Sequence, residues 1–214
     1  MDKKLCTQFS DRRIYHLCNK SIAHYRIFRS DQCMQRFALA VNYYNNIKVA
    51  VSLSKALRTE LVLPNIMKND KQRVISLLAY CFMPDHYHLL VKVLTEYSLS
   101  KYMNNVESSY SHYFNKLTNR KGPLWQSRFR LRIINDNETL LHVHRYIHLN
   151  PVTANIVEKP EHWAWSSYNY YVSGKGLMEH AEISFKSQIK YKKFVEDQID
   201  YQKTLKHIKL CLLE

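Results

Sequence analysis

Glycine and proline are scarce in this chain, at 3 and 5 of 214 residues. That scarcity excludes low-complexity and collagen-like sequence, and no glycine-rich loop is present to cradle phosphates. No apolar run approaches the ~20 residues of a membrane-spanning helix. Cys6, Cys18, Cys33, Cys81 and Cys211 are odd in number and form no CxxC pair. Neither a disulfide framework nor a zinc-knuckle spacing is therefore indicated, and free thiols in a reduced compartment are expected. The start Met-Asp-Lys-Lys has no secretory leader pattern, so a cytoplasmic protein is expected. Carboxylates are also in short supply. No closely spaced carboxylate cluster of the two-metal nuclease kind occurs, nor an HExxH, and Asp85 and Asp136 stand isolated.

What is abundant is positive charge: 32 Lys and Arg against 18 Asp and Glu give a net charge of +14. A solvated surface does not need that excess, so a polyanionic partner is expected, nucleic acid ahead of an anionic membrane. Hydrophobic residues at 46% suffice for a core, and the length suits one domain of ordinary size with an appendage. The 16 tyrosines mostly fill the core and its rim, while some would stack on unpaired bases.

The pattern along the chain predicts β-α-β-β-α-β-α. Ile14–Cys18 is a strand. A helix capped by Asp31 runs over 32–57, where Phe37, Val41, Tyr44 and Lys48 keep helical spacing. Arg58–Gln72, broken by Pro64, is a short helix or loop. Val74–Phe82 and His86–Val93 are strands joined tightly at Pro84-Asp85, an antiparallel hairpin. A helix opens at Ser98 or Ser100 and runs to Leu117. Arg128–Ile134 alternates as an exposed edge strand would. Asn135 or Asp136 caps a helix that Pro151 ends. Gly174 and Gly176 mark a hinge before a Lys-rich, helical tail over 183–213. The expected fold is α+β, similar in outline to a ferredoxin-like split βαβ: a central antiparallel sheet with helices on one face.

Three stretches carry chemistry. His86 and His88 are i and i+2 on a strand and share a face, as a paired-imidazole metal site requires; alone, the pair is also consistent with an ordinary half-exposed strand. Tyr146 and Asn150 share a helix face, at the flank of the apolar stripe Leu140, Val143, Ile147. A rim tyrosine and a helix C-terminal residue are the plain alternatives. His144 and His148, without a third partner, are treated as surface residues. Between 120 and 132 lie five basic residues and no acidic one, with Trp125 and Phe129 interleaved. That mixture suits phosphate contact plus base stacking, and Arg120, Lys121, Trp125, Arg128, Arg130 and Arg132 are the candidate DNA-binding residues.

Ala79–Val91 (AYCFMPDHYHLLV), Gly122–Phe129 (GPLWQSRF), Arg145–Val152 (RYIHLNPV) and Trp163–Tyr168 (WAWSSY) resemble, in this order, the HUH-superfamily single-tyrosine transposases of bacterial insertion sequences, in particular the REP-associated tyrosine transposases. The resemblance spans about residues 12–172. It implies that His86 and His88 are metal ligands, that Asn150 completes the site, and that Tyr146 is the nucleophile; Tyr87 stands where the family has a bulky hydrophobic residue. It also implies Mg²⁺ or Mn²⁺, and a transposase that nicks and rejoins single-stranded or hairpin, REP-like DNA through a 5′-phosphotyrosine. A domain over 1–172 and an extension over 173–214 are expected, acting as a monomer or homodimer near the nucleoid. Two other classes fit the residues: a domesticated hairpin-DNA-binding protein that does not cut, and a phosphodiesterase that activates water.

Overall fold

The structure, a computed structural model, describes residues 13–59, 73–95, 99–174 and 187–204. Strands β1 (Ile14–Lys20), β2 (Ile75–Phe82), β3 (His86–Val93) and β4 (Arg130–Ile134) form one antiparallel sheet in the order β2-β3-β1-β4. Helices α1 (Asp31–Tyr44) and α2 (Leu53–Thr59) connect β1 to β2, and α3 (Leu99–Leu117) connects β3 to β4. This is the ferredoxin-like split βαβ order. Helices α4 (Asn137–Thr153), α5 (Tyr168–Ser173) and α6 (Gln188–Glu196) follow. No helix among the described residues is long and apolar enough to cross a membrane.

Strand alternation divides the core in two. Leu17, Tyr80, Phe82, Tyr87, Leu89 and Val91 face the crossover helices, meeting Phe37 and Val41 of α1 and Met103, Val106, Tyr110 and Phe114 of α3. Spacings of three and four residues put those α3 side chains on one stripe. Each fully buried side chain of this size contributes about 1.5–3 kcal/mol. Ile14, Ala79, Cys81 and Leu90 face the other way, against Leu140 and Ile147 of α4, Tyr168 and Tyr171 of α5, and Tyr191 and Val195 of α6. The crossover helices thus lie on one face as expected, and α4–α6 add cover on the second. The cause is legible in β2, where all eight residues are buried: a strand apolar on both faces needs a layer on each.

Several boundaries differ from expectation. The predicted 32–57 helix is two helices. Asn45 leaves α1 because its side chain serves β2, accepting from the Val74 and Ile75 amides and donating to the Ile75 carbonyl. Ser30, not Asp31, caps α1 by accepting from the Cys33 amide; Asp31 instead accepts from Trp165 Nε1 at 2.7 Å. Pro151 does not end α4, which continues to Thr153 with Asn150 O accepting from Ala154 N. Its missing amide falls in the last turn, where the loss is one hydrogen bond. Gly174 is the left-handed cap of α5 at φ 71°, the conformation that favours glycine. Residues 60–72 of the expected short helix or loop, Gly176, and both ends of the predicted tail helix lie outside the described residues.

The largest departure concerns His144 and His148. Both are fully buried, not at the surface. Tyr191 Oη contacts the Nδ1 atoms of His148 and, at 2.8 Å, His144, while His148 Nε2 meets Ser167 Oγ at 2.6 Å. Partners from α6 and the α5 N-terminus thus replace water. Tyr191→Phe, which strips one hydroxyl from two buried imidazoles, is expected to lower the unfolding free energy by about 1–3 kcal/mol. A urea midpoint unchanged from wild type would contradict this.

Candidate metal and nucleophile site

On β3, the side chains of His86 and His88 point to the second face while Tyr87 points to the first. Register places Cys18 of β1 and Cys81 of β2 on either side of His88, and Lys20 beside His86. On the far side of β1, Arg130 lies opposite Cys18 and Arg132 opposite His16. One face therefore carries His16, Cys18, Lys20, His86, His88, Arg130 and Arg132 in adjacent rows.

Both β3 imidazoles are held through Nδ1. Asp85 Oδ1 contacts His86 Nδ1 at 2.5 Å, and its other oxygen contacts His24 Nδ1 at 3.0 Å. Burial alone would raise the Asp85 pKa; the hydrogen bonds from His86 and His24, with the charges of His86 and Lys20, hold it well below the usual carboxylate range. Asp85 is thus not isolated. His88 Nδ1 meets His16 Nε2 at 3.0 Å, with the two rings stacked. Burial, then the charges of His86, His16 and Lys20, push the His88 pKa well below its ordinary value. Burial and the Arg132 charge lower that of His16 to about 4. These two rings are neutral near pH 7, the state in which imidazole binds metal.

His88 Nε2 is buried with no hydrogen-bond partner. An unsatisfied buried nitrogen is costly, and a cation would satisfy it if His88 donates Nδ1–H to His16 and leaves Nε2 bare. Asp85 occupies Nδ1 of His86 in the same way. Such outer partners orient ligand imidazoles and raise their basicity. The donor set, imidazole nitrogens flanked by a carboxylate, fits a divalent cation.

Helix α4 crosses this face and brings Tyr146 to it. The Tyr146 ring centroid is 5.4 Å from that of His88 and 6.3 Å from that of His16, edge-on to both. The residue is 43% exposed, so solvent reaches the ring. Desolvation of its inner end raises the phenol pKa, Cys18 adds to the rise, and a hydrogen bond from Asn150 opposes it. Asn150 is buried and donates from Nδ2 to the Tyr146 carbonyl at 2.8 Å, which leaves Oδ1 as its acceptor end. The structure therefore brings His88 and His16 against Tyr146, with His86 beside His88 at 5.1 Å between ring centroids and Asn150 one turn along α4.

The expected DNA-binding group divides. Lys121, Arg128, Arg130 and Arg132 are exposed. Arg120 is turned inward: its guanidinium donates to Asn115 Oδ1 and to the Gly122 and Pro123 carbonyls, fixing the loop after α3. Trp125 is not an open stacking platform. Its Nε1 donates to the Glu107 carbonyl at 3.2 Å, and its ring packs against Tyr87, Phe37 and Tyr110. Sequence reasoning missed His16, Cys18 and Lys20. Their signal was the i, i+2, i+4 alternation on β1, the pattern that drew notice on β3.

The profile of the family described as "Transposase IS200 like" matches residues 30–150, more than half of the chain. The chain belongs to this family. A Haemophilus influenzae protein bearing the name REP-associated tyrosine transposase is 28% identical over 102 residues, covering 43% of this chain. The match spans 58% of that relative's length. Among solved structures, a REP-associated tyrosine transposase bound to a REP hairpin superposes with a TM-score of 0.53, covering 86% of this chain and 98% of the neighbour at 16% identity. At that identity the likeness shows the fold of an IS200-like transposase.

Asp85→Ala, which frees the His86 ring to turn, is expected to weaken Mn²⁺ binding about 10- to 100-fold. Calorimetric titration measures this, and an unchanged affinity would remove Asp85 from the role of orienting His86.

Proposed function

We propose that this chain is a metal-dependent transposase that cleaves and rejoins single-stranded DNA through a 5′-phosphotyrosine on Tyr146, and that it recognises hairpin DNA. The observation that carries the reading is the packing of the Tyr146 ring against His88, whose imidazole keeps one buried nitrogen without a hydrogen-bond partner. Family membership supports the activity class. Hairpin recognition is supported by the structural neighbour, which is bound to a REP hairpin.

A Mg²⁺ or Mn²⁺ ion held by His86, His88 and Asn150 would polarise the scissile phosphate and offset charge on the leaving 3′-oxygen. The chain's own residues then have defined tasks. Tyr146 Oη attacks phosphorus; the P–O3′ bond breaks as the P–O(Tyr) bond forms. The phenol proton passes to solvent and the 3′-oxygen ends as a hydroxyl. Lys20, Arg130 and Arg132, in rows adjacent to the imidazoles, neutralise phosphate, and the exposed Lys121 and Arg128 extend that track. The covalent ester conserves the phosphodiester bond for rejoining.

The test is incubation with Mn²⁺ and the hairpin DNA flanking the gene, followed by denaturing electrophoresis. Wild type is expected to form a denaturant-resistant protein–DNA adduct that chelator prevents, and Tyr146→Phe to form none while still shifting the hairpin in a native gel. An adduct that survives the substitution would exclude Tyr146. Hairpin binding by wild type with no adduct under any metal would favour the domesticated binding protein, and cleavage without an adduct would favour a water-activating phosphodiesterase.

Replacing Arg130 and Arg132 together by Ala is expected to weaken hairpin binding and to reduce the slope of log affinity against log salt by about one per lost phosphate contact. A slope identical to wild type would place the DNA elsewhere.

A further inference from the structure

One nitrogen each from His16 and His88 and the sulfur of Cys18 lie within 4.8 Å of one another, the only such group of three metal-binding side chains among the described residues. His16 Nε2 and His88 Nδ1 face each other at 3.0 Å. Two neutral imidazole nitrogens so placed share either a proton or a cation. Cys18 stands directly opposite His88 in the β1–β3 register and is a free thiol. None of these three roles belongs to the proposed cleavage site except that of His88, which there uses Nε2.

We propose that His16, Cys18 and His88 form a second, thiolate-containing site for a borderline divalent cation of the Zn²⁺ class, and that its occupation disables the cleavage site. Mg²⁺ and Mn²⁺ prefer oxygen and have little affinity for a thiol, whereas Zn²⁺ and Co²⁺ take mixed nitrogen and sulfur ligands. With metal–nitrogen distances of about 2.0–2.1 Å, a cation fits between the two rings in place of the hydrogen-bonded proton after a small separation. Binding breaks the Cys18 S–H bond, forms a metal–sulfur bond and releases one proton to buffer.

The exclusivity follows from the imidazole itself. A neutral ring carries one proton. When His88 binds a cation through Nδ1, that proton moves to Nε2, and His88 can no longer serve the cation shared with His86 and Asn150. Zinc therefore draws off a ligand rather than competing for the whole site. This consequence rests on the proposed cleavage reading; the existence of the site does not.

Co²⁺ titrated into the full chain, with absorption recorded, tests the site directly. The expected result is a near-ultraviolet sulfur-to-cobalt charge-transfer band that saturates at one equivalent, is displaced by Zn²⁺, and is absent from Cys18→Ser and from His16→Asn. Either variant alone suffices if the other does not fold. Cobalt that binds without the band, or a band retained in a folded variant, overturns the site. In the second arm, one equivalent of Zn²⁺ added to wild type is expected to cut Mn²⁺-supported adduct formation at least tenfold. Adduct formation unaffected by Zn²⁺ while the cobalt band forms overturns the exclusivity. Absence of any adduct with Mn²⁺ alone is a failure of the cleavage reading, and the cobalt spectrum still decides the site.

Discussion

A buried carboxylate behind the sheet fixes the arrangement of the site in front of it. Glu107 of α3 is 7% exposed. Its Oε1 accepts from Tyr87 Oη at 2.6 Å and from Asn19 Nδ2 at 2.9 Å. Tyr87 and Asn19 are opposite each other across β3 and β1, so one acceptor pins both strands and their register. Burial raises the Glu107 pKa, and these two donors oppose the rise. A one-residue slip of either strand would turn its side chains to the other face and take one of the two donors from the buried carboxylate, a cost of about 1–3 kcal/mol. The tyrosine between the two histidines thus anchors the strand from the side opposite the histidines.

The second layer solves a related problem for α4. The role proposed for Tyr146 requires it to face the sheet, and a helix can in principle turn about its axis. His144 and His148 prevent that, being four apart and tied through Tyr191 and Ser167 to α6 and the start of α5. Ser167 is in turn bonded to the Tyr80 backbone of β2. His148 and Tyr146 are separated by ~200° around the axis, so fixing one azimuth fixes the other. Polar groups in a core seldom add stability over an apolar replacement; here they supply orientation, which an apolar patch of the same area would leave looser.

Much of this was legible because it is periodic. A continuous apolar run gave β2, alternation gave β3, and three-and-four spacing gave α3 and α4, with Asp136, one of two candidates, the cap of α4. The signals that failed were those that depend on a distant partner. Asn45 breaks α1 to serve β2, a residue 30 positions away. His144 and His148 resemble surface residues until Tyr191 is folded onto them. Trp125 and Arg120 carry the composition of a nucleic-acid contact, yet a carbonyl of α3 and the turns of their own loop take up their donors. His16 and Cys18 follow the same every-second-residue rule as His86 and His88, but a thiol beside one imidazole attracts less notice than two imidazoles. Only the β1–β3 register shows that they belong together.

The charge distribution sets an order of events. The site is ringed by Lys20, Arg130 and Arg132, while the rings of His16 and His88 inside it are neutral and the phenol of Tyr146 is held protonated by desolvation. On the proposed reading, a phosphate is drawn in by the rim, yet finds no anionic nucleophile waiting. Ionising the phenol requires positive charge close to Oη, and the rings of His16 and His88 do not supply it, because burial and the surrounding cations keep them unprotonated. On the proposed reading, a bound divalent ion delivers that charge, and it does so where the phosphate also binds. Nucleophile activation and substrate binding are then tied to one event, which guards the tyrosine against reaction in the empty site. The same neutrality makes His88 available to whichever cation reaches it first, through whichever nitrogen. Control of such a site therefore lies in the identity of the metal more than in pH.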